Sequence, residues 1–167
     1  PAVDLREMNG GQYEKEGWPG GVHIALRKYD GFRMTWLGTG RHIYSRASSI
    51  DTAKKSIPPE WINNMPRYAL ECELILAAGA PLRNRESVSQ SYSKTNATKW
   101  EHQHLVVFDA PWMVGVPFHK RRAWLERESK DWPEWLELAE SYGEVYDRTT
   151  AEELCAMVTA DDFDENY

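Results

Sequence analysis

The stretch ALRKYDGFRMTW, residues 25–36, places three cations beside an apolar run. Arg27, Lys28 and Arg33 surround an Asp-Gly pair at 30–31. In one interpretation this pair is the turn of an exposed hairpin with solvated charges, which is the commoner use of such a sequence. In the other, positive neighbours and apolar walls favour the neutral amine of Lys28, the form that acts as a nucleophile, and Gly31 lets the backbone approach a ligand.

Short β-branched or alternating runs continue on both sides of this stretch and predict strands. Helix signals are fewer: a run after Pro117, a short segment over 58–65, and a segment that opens at Thr150 with the capping pattern Thr-x-x-Glu. Strands with only two or three interspersed helices predict an α+β fold of largely antiparallel sheets with flanking helices. The predicted strands are 22–27, 32–37, 42–46, 68–76, 104–109 and 143–147.

Composition limits the architecture and the environment. A chain of 167 residues, 41% of them hydrophobic, is expected to form one domain over 1–167. No apolar run approaches the roughly 20 residues that cross a bilayer, and the opening residues lack the pattern of a secretion signal. We therefore expect a cytoplasmic monomer with no membrane partner. Cys72 and Cys155 lack metal-type spacing, so reduced thiols are expected.

Charge leaves the partner open. The formal net charge of −6 argues against a generally basic, nucleic-acid-coating surface. The cations at 119–122 could still form a local basic patch that attracts phosphate.

Two carboxylates share one face of the predicted strand at 68–76. Alternation puts Glu71 and Glu73 on one side and Leu70, Cys72 and Leu74 on the other, as in any half-buried strand. Paired carboxylates also suit Mg²⁺, which prefers oxygen ligands and keeps waters and phosphates in its remaining positions. Glu73 is the candidate ligand.

Phe108 and three histidines can each be interpreted as structural or as functional residues. Phe108 either belongs to the core or, followed by Asp109 and Pro111, emerges at a pocket rim. His102, His104 and His119 could act as general bases, but the His-x-His pair beside Glu101 fits a partly exposed strand face and no zinc set is completed, so no role is assigned to them.

Residues 28–33, KYDGFR, resemble the Lys-x-Asp-Gly-x-Arg signature of ATP-dependent DNA ligases, whose lysine becomes covalently attached to AMP. Further segments resemble ligase elements in the same order, and the ordered combination is more specific than any one motif. These segments are Ser45-Arg46, ALECELIL at 69–76, VVFDAP at 106–111, and the Pro-Phe-x-x-Arg element that starts at Pro117 and carries Arg121.

The resemblance covers about 20–167 and implies an adenylation domain of the bacteriophage type. It implies that Lys28 is the catalytic nucleophile toward the α-phosphorus of ATP, that Arg33 and Arg46 hold anionic oxygens, and that Phe108 stacks on adenine. Glu73 would bind the ribose or Mg²⁺. The implied nucleotide-binding residues are Arg27, Lys28, Arg33, Arg46, Glu73 and Phe108.

The same resemblance implies the cofactors ATP and Mg²⁺ and the partner nicked double-stranded DNA. Sealing of 5′-phosphate/3′-hydroxyl nicks would serve DNA repair, replication and recombination in a bacterial or phage-infected cell.

Three departures from the family pattern bear on this interpretation. Cys72 stands where the family has glycine, and Leu26 stands where a glutamate often recognises adenine, leaving the backbone carbonyl of Arg27 as a substitute. The chain also stops at DDFDENY, 161–167, before the Glu-Gly and Lys-x-Lys motifs and the OB-fold domain, so an adenylation domain without these parts is expected. A fragment and a naturally short relative both fit.

Alternative functions stay open at this point. RNA ligase and mRNA-capping guanylyltransferase share the lysine signature. A non-catalytic nucleotide or nucleic-acid binding module would keep the cleft without the transfer. The eight tryptophans also fit an interaction domain, in which Trp112, Trp124, Trp132 and Trp135 form a core or a partner surface.

Overall fold

A computed structural model describes residues 20–29, 31–39, 41–45, 57–76 and 102–164. Its strands are β1 (His23–Leu26), β2 (Phe32–Trp36), β3 (Ile43–Ser45), β4 (Leu70–Leu76), β5 (Gln103–Asp109), β6 (Leu136–Leu138) and β7 (Ser141–Val145). Its helices are α1 (Pro59–Asn64), α2 (Phe118–Glu128) and α3 (Arg148–Asp164), and a 3-10 turn at Ser129–Asp131 follows α2. None of the helices in these ranges is long and apolar enough to cross a membrane.

The chain divides into two units. Among the described residues, the larger unit holds those from Lys28 to Ala139, and the smaller holds 20–27 together with 140–164. The expectation of one domain over 1–167 stays a prediction.

The larger unit contains a five-stranded sheet in the order β3-β2-β4-β5-β6. Its neighbours pair antiparallel except β5 and β6, which are parallel. The prediction of an α+β fold rich in antiparallel sheet, with few helices, is confirmed at this level. Sequence analysis missed β6, because three residues are too short to show a period.

One face of this sheet makes the core. Met34 and Trp36 of β2 lie opposite Cys72 and Leu70 of β4, and all four side chains are fully buried. Strand alternation explains the set, since every second side chain points to the same face. Helices α1 and α2 add further buried side chains, namely Trp61, Ile62 and Leu125.

Most of the described tryptophans lie in the core or pack against it, and these described residues do not form one exposed patch. The rings of Trp61 and Trp135 stack at 4.4 Å, and Trp132 donates its indole N–H to the Tyr68 hydroxyl at 2.9 Å. Burial raises the pKa of Tyr68 to about 12. Of the four tryptophans proposed for a core or partner surface, Trp124, Trp132 and Trp135 pack against the core, whereas Trp112 is exposed.

In the smaller unit, β1 and β7 pair antiparallel and α3 follows β7. The predicted start of this helix at Thr150 is wrong, because α3 begins at Arg148. Asp147 accepts the backbone N–H of Thr150 at 2.8 Å, and this hydrogen bond holds the pKa of its carboxyl below the ordinary value. Asp147 therefore caps the helix, as short acidic side chains do at helix N-termini.

Candidate functional site

The face of the sheet opposite the core carries charged side chains from β2 and β4. Arg33 lies directly across from Glu73, and Thr35 directly across from Glu71. Directly opposed residues of an antiparallel pair project to the same face. The predicted placement of both glutamates on one face, away from Leu70, Cys72 and Leu74, is therefore confirmed.

Glu71 is buried on this face, with 2% of its surface exposed. Its carboxylate accepts hydrogen bonds from Arg33 Nε at 2.6 Å and from Thr35 Oγ1 at 3.1 Å. A buried carboxylate is tolerated only when paired and hydrogen-bonded, and both conditions are met. Sequence analysis placed Glu71 and Glu73 on the same face of the strand but missed the ion pair between Glu71 and Arg33. That pair can be predicted only when the register of β2 on β4 is known.

Glu71→Gln is expected to lower the free energy of unfolding by about 2 kcal/mol, because the amide keeps the shape but loses a charge-assisted hydrogen bond to Arg33. Urea denaturation of the purified chain measures this. Glu152→Gln is the matched control: it breaks the exposed pair with Arg148, and its effect should stay below about 0.5 kcal/mol. Equal losses in the two variants would contradict the buried pairing.

Arg33 connects the strand pair to Phe108. Its guanidinium lies 4.2 Å from the centroid of the Phe108 ring, within cation–π range. The register between β4 and β5 shifts here: Glu71 pairs with Asp109 and Cys72 with Val107, so Phe108 is the extra residue. Such bulges redirect side chains and are frequent beside functional sites.

One guanidinium nitrogen of Arg33, Nη2, is buried and has no hydrogen-bond partner within the described ranges. A buried N–H donor without a partner costs free energy. An anionic oxygen of a ligand could satisfy it, and a guanidinium binds phosphate or carboxylate well.

Gly31 joins the lysine-containing segment to Glu73. Its backbone N–H donates to Glu73 Oε1 at 3.1 Å across 42 residues of sequence. A Cβ at Gly31 would lie 2.1 Å from the carbonyl oxygen of Leu74. The close approach predicted for this glycine is thus made to the backbone of β4.

Lys28 precedes β2 and its side chain is exposed. Of the apolar neighbours that were expected to wall it, Met34 and Trp36 are instead buried in the core. Arg27 belongs to the smaller unit, where its guanidinium pairs with Glu140 at 3.3 Å. Arg46, like Asp30, lies outside the described residues.

Cys72 occupies the position that the ligase resemblance assigns to glycine. Its side chain is fully buried on the core face, opposite Met34. Burial raises the pKa of its thiol. The cysteine therefore does not project into the charged face.

Asp109, which follows Phe108 at the end of β5, is buried, with 1% of its surface exposed. Arg121 holds its carboxylate with two hydrogen bonds, from Nε at 2.7 Å and from Nη2 at 3.0 Å. This bidentate pair ties the end of β5 to the first turns of α2. Arg121, the arginine of the Pro-Phe-x-x-Arg element, is thus engaged in a structural pair.

The described residues around Glu73 offer few ligands for a metal ion. No group of three or more His, Cys, Asp or Glu side chains that could hold a metal ion occurs among the described residues. With Glu73 as the single protein carboxylate, Mg²⁺ would need the phosphates of the substrate and water molecules as its other ligands. Of the histidines, His104 pairs with Glu137 on the neighbouring strand β6.

The fold is similar to that of a DNA ligase. A solved structure of a Lig E DNA ligase, described as binding DNA with a minimal scaffold, aligns with 84% of this chain at a TM-score of 0.63 and 22% sequence identity. The match covers 51% of that ligase, so the chain spans about half of its length. No protein-family model matches the chain, and no curated protein matches it. The likeness establishes a ligase-like fold, and traits particular to phage ligases rest on the sequence resemblance alone.

Proposed function

We propose that this chain is an adenylation domain of an ATP-dependent DNA ligase. The observation that carries the proposal is the convergence of three ligase-like segments on one sheet face: Gly31 donates to Glu73, and Arg33 covers Phe108. These residues come from KYDGFR, ALECELIL and VVFDAP, which are distant in sequence. The ligase-like fold supports the same conclusion.

The proposed reaction begins at Lys28. Its unprotonated amine attacks the α-phosphorus of ATP, a nitrogen–phosphorus bond forms, and the bond from that phosphorus to the bridging oxygen breaks. Pyrophosphate leaves with the bond's electron pair, and the proton of the amine passes to solvent. The product is AMP linked to Lys28 as a phosphoramidate. The exposure of Lys28 leaves its amine accessible to the nucleotide.

Neighbouring side chains would bind the nucleotide. Arg33 would offer its unpaired Nη2 to an anionic oxygen, and Arg46 would contribute a second guanidinium. Phe108 would stack on adenine by the ring face that Arg33 leaves uncovered. Glu73 would hold the ribose or, with the phosphates, Mg²⁺, which when bound offsets the negative charge of the phosphates.

The proposed second half of the cycle uses nicked duplex DNA. AMP passes from Lys28 to the 5′-phosphate of the nick, and the 3′-hydroxyl then displaces AMP as the strand is sealed. Because the chain spans about half of the solved ligase, this half is proposed for the protein that contains the chain.

Intact-mass measurement tests the covalent step. The purified chain, incubated with Mg²⁺ and ATP, is expected to gain the mass of one AMP, and peptide mapping is expected to place it on Lys28. GTP in place of ATP should give no adduct. A GMP adduct would indicate capping chemistry, and reversible ATP binding without any adduct would indicate a non-catalytic module.

A further inference from the structure

The segment between β5 and α2, residues 110–117, exposes two large apolar side chains. Trp112 exposes 42% of its surface and Val114 78%. The segment, here called the Trp112 loop, reads APWMVGVP and contains no charged residue. None of the hydrogen bonds described above joins this loop to a proposed nucleotide-binding residue. The nucleotide site therefore does not explain why these apolar side chains are exposed.

The Trp112 loop is held in place by its surroundings. The indole of Trp112 packs edge-on against Trp124 of α2, with ring centroids 5.3 Å apart and planes at 78°. Met113 N–H donates to the Ala110 carbonyl and Val116 N–H to the Met113 carbonyl, both at 3.2 Å. A fixed, exposed indole presents a large apolar surface at little entropic cost on binding.

Arg121 also holds the Trp112 loop in place. Its guanidinium donates to the Val116 carbonyl while it also holds Asp109 at the end of β5. Both ends of the loop are therefore attached to one buried pair, and the position of Trp112 follows from β5 and α2.

The segment formed by the loop and the first turns of α2 carries positive charge only, although the chain as a whole is acidic. Residues 110–125 include no Asp or Glu, whereas the whole chain has 26 such residues. In the first turn of α2, His119 and Lys120 are exposed and no acidic residue is present. Arg121 and Arg122 are paired with Asp109 and Glu126, so Lys120 is the lysine that this end of α2 presents to solvent.

We propose that the Trp112 loop and the first turn of α2 form a contact surface for a strand of DNA. A base packs against Trp112, and the adjoining phosphate meets Lys120 and the positive N-terminal end of α2. An exposed aromatic beside cations, in a segment that carries no carboxylate of its own, matches a polyanion that carries flat apolar bases. The choice of DNA among nucleic acids rests on the proposed ligase function.

Binding of a labelled duplex with a short single-stranded gap, whose unpaired bases can pack against Trp112, tests this surface by fluorescence anisotropy across a salt series. Trp112→Ala is expected to weaken binding about tenfold. Lys120→Ala is expected to reduce the slope of log affinity against log salt by about 1. The matched controls are Tyr146→Ala, an exposed aromatic in the smaller unit, and Lys130→Ala, an exposed lysine after α2, and both should bind as the wild type does.

The outcomes separate this inference from the proposed function. AMP attachment to Trp112→Ala should equal that of the wild type, since Trp112 has no part in the nucleotide site. Trp112-dependent DNA binding by a chain that gains no AMP would overturn the proposed chemistry and support the surface. The proposed DNA-contact surface would be wrong if both variants bound DNA with wild-type affinity, or if the wild type showed no measurable DNA binding. It would also be wrong if Trp112 were needed for self-association or vesicle binding instead.

Discussion

Lys28→Arg is expected to abolish AMP attachment. Arginine keeps the positive charge and much of the length of lysine, but its guanidinium stays protonated in proteins and has no nucleophilic amine. Because Lys28 is exposed, the substitution should leave the free energy of unfolding nearly unchanged. Intact mass after incubation with Mg²⁺ and ATP measures the loss, and urea denaturation checks the fold.

Lys130→Arg is the matched control, because Lys130 is another exposed lysine and lies outside the proposed site. It should gain AMP to the same extent as the wild type. An AMP adduct on Lys28→Arg would show that another side chain is the nucleophile and would remove the central residue of the proposal.

The strands and their core face could be predicted from the sequence because alternation is a local property. Leu70, Cys72 and Leu74 alternate with Glu71 and Glu73, and hydrophobicity alone assigns the first three to the core. The same reasoning explains why Cys72 leaves the charged face clear.

The pairs that organise the site could not be predicted, because each depends on which strand lies beside which. Glu71 pairs with Arg33 because of the register of β2 on β4, and Asp109 pairs with Arg121 because α2 packs beside the end of β5. The local sequence around each of these residues does not indicate its partner. The start of α3 was missed for a more local reason, since Asp147 competes with Thr150 as the cap and both are good N-cap residues.

Gly31→Ala is expected to destabilise the larger unit by about 3 kcal/mol or more, a large share of the roughly 5–15 kcal/mol that holds a domain folded. The added Cβ would lie 2.1 Å from the Leu74 carbonyl oxygen and 2.9 Å from its carbon, so β2 and β4 must separate. That movement would also lengthen the hydrogen bond from Gly31 to Glu73. Urea denaturation measures the loss of stability, and AMP attachment should fall with it.

Gly143→Ala separates this clash from the conformational preference of glycine. Gly143 has a φ of +97°, and a Cβ there would meet nothing within 4 Å, so its replacement strains the backbone without any steric contact. The expected effect is about 1–2 kcal/mol, smaller than at Gly31. If Gly31→Ala were as stable as the wild type, the strand pairing that brings the lysine-containing segment to Glu73 would be wrong, and the geometric support for the nucleotide site would be lost.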